Sequence, residues 1–200
     1  MTAGTLRTRA RGFTLIELLI CLIIVGILAV VGLPTMVEFV AEQRVRTAAT
    51  DVVSDIAFAR AKAVELSRRV IIERVGTGWD KGWRIYADVN NNATFEPAVD
   101  TELKHFDGYG TGAASPTGRM YFCSLVADYA TNIIFRPDGR IVRTVAATAA
   151  TDGIYVVDPL GDNDVCNNKT RAILFDLSGR AHSRVMTSGN NACKGVAPPC

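Results

Sequence analysis

The chain has 200 residues, 22 Lys and Arg against 20 Asp and Glu, and a formal charge of +2. So small an imbalance gives no global attraction for a polyanion, and composition does not argue for a nucleic-acid-binding protein. With two histidines (His105 and His182) and no Cys-x-x-Cys pair, the sequence also argues against a structural zinc site.

The first element is a long apolar run. Phe13 to Leu33 carries only Thr14 and Glu17 as clearly polar residues, and Arg7, Arg9 and Arg11 precede it. As an α-helix it would reach about 31 Å, one hydrocarbon core. The run is longer than a signal-peptide core, and Pro34 follows it instead of a small-x-small cleavage site. An ordinary anchor explains the length but not Glu17. A carboxylate at membrane depth costs about 2.5–3.5 kcal/mol near a helix centre and less near an end, so it implies a partner.

"RGFTLIELLI", Arg11 to Ile20, resembles the leader and first helix of type IV pilins and type II secretion pseudopilins. The resemblance implies cleavage between Gly12 and Phe13 by a prepilin peptidase, then N-methylation of Phe13. It makes 1–12 a leader, 13–33 the transmembrane and assembly half of the helix, 34–68 its amphipathic half, and 69–200 a β-rich head. Glu17 would then lie one turn from the new amine, and its carboxylate would meet the amine of a neighbouring subunit. Pairing offsets the burial of both charges and fixes axial register. The leader arginines favour a cytoplasmic N-terminus, which puts the head outside the inner membrane. Losing three arginines takes the formal charge from +2 to −1.

The helix pattern continues past Pro34, which removes one backbone donor. Val45, Ala49, Val52, Ile56, Ala59, Ala63 and Leu66 recur at spacings of four and three, one apolar stripe. Glu42, Arg44, Arg46, Asp51, Asp55, Arg60 and Lys62 are assigned to the opposite, solvated face, with Arg68 and Arg69 at the C-terminal end. After Arg69 the pattern turns to β. Strands are expected at Val70–Val75, Trp83–Ala87, Met120–Leu125, Asn132–Arg136, Arg140–Val145, Ile154–Val157, Arg171–Leu177 and Arg180–Met186. "RPDGR" (Arg136–Arg140) and "LSGR" (Leu177–Arg180) read as hairpin turns around Gly139 and Gly179. The expected fold is α+β, one long helix packed on antiparallel sheet.

"FARAKAVELSRRVII", "GWDKGWRIYADVN" and "FRPDGRI" follow one another in the order of the GspH/FimT group of minor pilins and pseudopilins, which the chain resembles. That resemblance implies two sheets in the head and a low-copy structural subunit. The first reading is a minor pilin that primes or caps a type IV pilus. The alternatives are a GspH-type pseudopilin of type II secretion and a FimT-type DNA-binding pilin. The implied partners are other minor pilins or pseudopilins, the major pilin, the prepilin peptidase/methyltransferase, the inner-membrane assembly platform and the bilayer. No cofactor is implied, and with no nucleophile elbow or phosphate loop in the sequence no enzyme activity is expected.

Three constellations need weighing. Asp88, Asn90, Asn92 and Thr94 alternate as in the first half of a calcium loop, but Ala93 stands at the loop glycine and Val99 at the twelfth position. Arg180, His182 and Arg184 share one strand face. With Lys194 and Arg171 they form a candidate phosphate-binding patch, the basis of the DNA reading. Cys21 lies in the apolar run as a small buried hydrophobe, while Cys123, Cys166, Cys193 and Cys200 suit two disulfides in an oxidising compartment. A two-residue turn at Ser178–Gly179 would pair Leu177 with Arg180 and set Cys166 nearly opposite Cys193, with Cys123–Cys200 by exclusion. The competing connectivity joins Cys193 to Cys200 and Cys123 to Cys166.

Overall fold

A computed structural model describes residues 13–109, 120–124, 129–143, 153–157, 170–176 and 178–186. Helix α1 runs Leu15–Leu66, and the chain divides into two compact units, residues 1–39 and 40–200. In the first unit every described side chain from Phe13 to Ala29 is exposed, Cys21 included, which corrects its expected burial: the apolar positions here surround the helix instead of forming one inward face. Among the described residues, no helix is long and apolar enough to cross a membrane.

In the second unit, α1 buries Ala41, Val45, Ala48, Ala49, Val52, Ile56, Ala59 and Ala63. The many alanines present little bulk, so sheet side chains come close to the helix axis. Leu66, expected to close the stripe, is exposed because α1 ends there. Ser67 takes φ 51°, and the N–H groups of Ser67 and Arg68 close onto the carbonyls of Val64 and Ala63. This is a Schellman ending with serine where glycine is usual. Arg69 therefore starts the first strand instead of complementing the last turn of the helix.

Among the described residues, the head forms two four-stranded antiparallel sheets. One has the order β3(Thr101–Phe106), β2(Trp83–Asp88), β1(Arg69–Arg74), β5(Asn132–Phe135); the other runs β4(Tyr121–Ser124), β6(Gly153–Val157), β7(Arg171–Phe175), β8(Ala181–Val185). Alternation decides the faces. Val70, Ile72, Trp83, Ile85, Ala87, Ile133 and Phe135 of the first sheet join Phe122, Ile154, Val156, Ile173 and Phe175 of the second and the helix stripe in one core. Tyr155, Ala172, Leu174 and Met186 form a smaller cluster on the other face of the second sheet.

Three features depart from the sequence reading. Strand β3 was not expected. It pairs with β2 as Trp83↔Phe106 and Ala87↔Thr101, with an irregularity at Ile85/Tyr86 that leaves Leu103 outside the ladder. That extra residue spoils the period-two pattern in "TELKHF". The expected strand at Arg140–Val145 is reduced in the described part to one bridge, Phe135↔Ile141. The last hairpin is shifted by one residue: Asp176 N–H donates to Arg180 O and Phe175 opposes Ala181, so the strands close at Asp176 and Arg180 and not at the expected Leu177–Arg180 pair. Both turn glycines do take positive φ, 77° at Gly139 and 81° at Gly179.

Candidate functional site

The helix start is built from three residues of "FTLIE". Phe13 and Thr14 are not helical, and Leu15 is the first helical residue. The Thr14 hydroxyl accepts the Glu17 N–H at 3.3 Å, and the Thr14 carbonyl accepts the Leu18 N–H at 3.2 Å. Thr14 is thus the N-cap and Glu17 the third helical residue, the threonine–glutamate spacing of a capping box. The Glu17 carboxylate also lies in the first turn, where the helix dipole favours negative charge. Phe13 and Glu17 are both exposed. Gly12 and the rest of the leader lie outside the described residues. Thr14 as a cap was missed from sequence, although "TLIE" before an apolar run was its signal.

The stretch assigned to the solvated face of α1 contains inward-facing charges. Asp55 is buried; it accepts the Trp83 indole N–H at 2.7 Å and pairs with Lys104 of β3. Asp51 accepts the Tyr109 hydroxyl at 2.9 Å, and Arg60 Nε donates to Gly139 O at 3.0 Å. These three are corrections to the solvated-face assignment, and each ties α1 to a different part of the head. Burial, then the Asp51 hydrogen bond, raise the Tyr109 phenol well above its ordinary range. Asp51, Ser54, Asp55, Lys104 and Phe106 line a cleft of about 160 Å³ beside this clasp.

The expected calcium residues are held in a loop that closes on itself. Asp88 accepts the backbone N–H of Asn92 and Ala93, Asn92 Oδ1 accepts Thr94 N–H, and Asn90 donates to Glu96. Asp100 accepts from Val89 and Glu96. These carboxylates order a turn, and among the described residues no group of three or more His, Cys, Asp or Glu side chains is arranged to hold a metal.

On β8, His182 and Arg184 are exposed and opposite Leu174 and Ala172, so they share a face; Arg180 is exposed in the turn ahead. Arg171 opposes Val185 and belongs to the other face, because it is one residue out of phase with Ala172. It is therefore removed from the patch. Asp176 in the same turn is held below its ordinary range: burial opposes this, but hydrogen bonds from Ser178 and Arg180 and the Arg180 charge outweigh it. Lys194, Cys166, Cys193 and Cys200 lie outside the described residues. Cys123 is placed by its backbone in β4.

Residues 48–179 match the family described as "Type II transport protein GspH", which covers most of the head and the helix beneath it. The chain belongs to the GspH family. Residues 7–33 of this GspH-family chain also match the prokaryotic N-terminal methylation motif. Among solved structures it is similar to the type IV minor pilin FimU of Pseudomonas aeruginosa in two crystal forms. For the P21 form the identity is 17% over 73% of this chain and 92% of that chain, with a TM-score of 0.51. For the P65 form it is 18% over 70% and 91%, with a TM-score of 0.47. At that identity the likeness is one of fold, a helix on two antiparallel sheets. No curated protein matches the sequence. The family is one of pilin-like structural subunits, and the methylation motif marks the GspH-family chain as a membrane-anchored one.

Proposed function

We propose that this GspH-family chain is a minor pilin, a low-copy structural subunit that helps to prime or cap a type IV pilus. The observation that carries the reading is the methylation motif at residues 7–33 ahead of a pilin-like head. Within that motif, Glu17 lies in the first turn of α1 beside the proposed new N-terminus, Phe13. The Phe13–Leu33 run anchors the subunit once in the inner membrane with a cytoplasmic N-terminus, set by Arg7, Arg9 and Arg11. The peptidase removes 1–12, Phe13 is methylated, and the amine of one subunit pairs with Glu17 of the next. Neighbouring minor pilins, the major pilin and the assembly platform are its partners. The exported cysteines are the disulfide set, with Cys166–Cys193 and Cys123–Cys200 as the first connectivity.

The experiment is Glu17→Val in the native host. Insertion into the membrane is expected to persist, since a charge leaves an apolar run, while co-purification with other pilins falls. Wild-type co-purification would remove the amine–carboxylate account.

Membership of the GspH family favours a second reading, a minor pseudopilin of a type II secretion system. Deletion of the gene separates the two: the first predicts loss of surface pili with secretion intact, the second the reverse. A DNA-receptor role is favoured by exposed His182 and Arg184 on one face of β8. It predicts salt-sensitive DNA binding that is lost in an Arg180/Arg184 double mutant.

A further inference from the structure

We propose that the neck of the loop between β2 and β3 binds calcium, held by the carboxylates of Asp88 and Asp100 and the hydroxyl of Tyr86. Of the four residues whose alternation suggested a calcium loop, only Asp88 belongs to this set. Asn90, Asn92 and Thr94 are exposed, and the Asn90 and Asn92 side-chain oxygens accept N–H groups of the turn itself. The inference is independent of how the N-terminus is processed.

The strand ladder sets the two carboxylates against each other. Ala87↔Thr101 is the last pair of β2 and β3, so Asp88 and Asp100 are the next residues across. Side chains at such positions share a face, with Cβ atoms about 4.5–5.5 Å apart, and like charges there repel. Ala87 faces the core, so Asp88 and Tyr86 belong to the opposite face, as does Asp100 by its place two residues before Glu102, the partner of Tyr86. Asp88 is 1% exposed and Asp100 8%. Backbone N–H groups stabilise each carboxylate: Asp88 accepts from Asn92 and Ala93, Asp100 from Val89 and Glu96, one bond on each oxygen. Every oxygen keeps a lone pair, and the two charges still face each other. Arg69 approaches Asp88 only to 3.8 Å and donates instead to Asn91 O. Asp100 has no cation partner among the described residues. Buried carboxylates so arranged call for a cation.

Tyr86 points to the same place independently. It is fully buried, and its hydroxyl has no hydrogen-bond partner, a costly state for a polar group. Its ring meets Phe95 of the loop edge-on at 5.1 Å, which sets it beneath the loop whose ends are Asp88 and Asp100. Burial first, then the charges of Glu73, Asp88 and Asp100, hold the phenol protonated well above its ordinary range, so it is a neutral oxygen donor. Two carboxylates and a phenol fall short of three acidic, histidine or cysteine groups, and backbone carbonyls and water would complete the shell. An all-oxygen set on an irregular loop suits calcium, which takes six to eight oxygens in flexible geometry, over magnesium, which demands a near-ideal octahedron. The charge fits a divalent ion too. With Glu96, which Asn90 holds in the same loop, three carboxylates stand against Arg69 alone.

The test uses the full-length chain in detergent micelles, stripped with EDTA and then given calcium chloride or magnesium chloride. At about 10 mM, calcium stands some tenfold above the weaker dissociation constants of extracellular calcium modules. Calcium is expected to raise the Tm by about 3–6 °C over EDTA, and magnesium by less than about 1 °C. Asp100→Asn is expected to abolish the calcium-dependent rise. A carboxylate that only ordered the loop would be missed equally in calcium and in EDTA, so a loss confined to calcium is the signature of a ligand. Tyr86→Phe, which removes the hydroxyl alone, is expected to move the midpoint of the calcium titration up about fivefold. Equal melting of the wild type in calcium and EDTA would overturn the proposal, as would an Asp100→Asn chain that still gains with calcium. If Asp100→Asn does not fold, Tyr86→Phe decides, and an unmoved calcium midpoint overturns the site. A rise as large in magnesium as in calcium overturns the choice of ion.

Discussion

Trp83 donates its indole N–H to Asp55 across 2.7 Å, joining the second strand to the helix inside the core. Asp55 also holds Lys104 from the neighbouring strand, so one carboxylate fastens α1, β2 and β3 together. The two partners are not equivalent, since the Asp55 side chain is 5% exposed and that of Lys104 is 46% exposed. Removing the lysine leaves a buried carboxylate with one donor, whereas removing the aspartate lets the lysine turn into water and orphans only the indole N–H. Lys104→Met is therefore expected to cost about 2–3 kcal/mol, at the lower end of a broken buried pair because the lysine is half in water. Asp55→Asn, which keeps an acceptor for Trp83, is expected to cost about 1 kcal/mol. Urea unfolding of the two variants checks the order, and equal losses would contradict it.

Three described residues other than glycine take positive φ, and of these Asn91 is of a type that tolerates it while Ser67 and Ala93 are not. Ser67 at φ 51° ends α1, and Ala93 at φ 60° lies in the loop before β3. Replacing either with glycine is expected to stabilise by about 0.5–1 kcal/mol, because the left-handed backbone is retained without the Cβ penalty. Thermal unfolding is the measurement, and a fall in Tm for Ser67→Gly would contradict the assigned helix ending.

Gly82 makes the opposite case. It has φ 110°, and a Cβ there would collide with the Phe106 carbonyl and with Gly108 N at 2.8 Å. Gly82→Ala is expected to cost about 2–3 kcal/mol through strain and displaced backbone. Its signature would be loss of the Trp83–Phe106 ring stack, now 4.3 Å between centroids, read as a shift in tryptophan fluorescence.

How much of this was legible follows from where each signal sits. The helix, the two turn glycines and most strands could be read because apolar spacing and turn residues are local. Asp55, Asp51 and Arg60 were misassigned because charge alone says solvent, and only the strands carrying Trp83 and Lys104, or the loop with Tyr109, supply the reason to turn inward. Strand β3 was hidden by its bulge, and the last hairpin slipped by one residue because "DLSGR" lets the strands close at Asp176 and Arg180 as readily as at Leu177 and Arg180. At the helix start, Glu17 and the expected cleavage glycine were singled out from the sequence while the Thr14 cap between them was missed, although all three lie within six consecutive residues, Gly12 to Glu17.

Alkaline pH supplies a further test. Burial raises the Tyr86 and Tyr109 phenols, with neighbouring carboxylates adding to it. The fold thus favours the neutral phenol, so this stability is complete below the ordinary tyrosine pKa of about 10 and is lost as pH rises toward the folded values. Of the five tyrosines, these two are expected to resist ionisation until the head unfolds. Ultraviolet titration would contradict this if all five ionised together with the fold intact.

The central claim is that the subunit is made as a precursor and matured at one bond. Intact-mass and N-terminal fragment analysis of the protein purified from membranes of its own host tests it most directly. The account predicts a chain beginning at Phe13 and carrying one added methyl group on its amine. A chain that still begins at Met1, or one cut at any bond other than Gly12–Phe13, would contradict it.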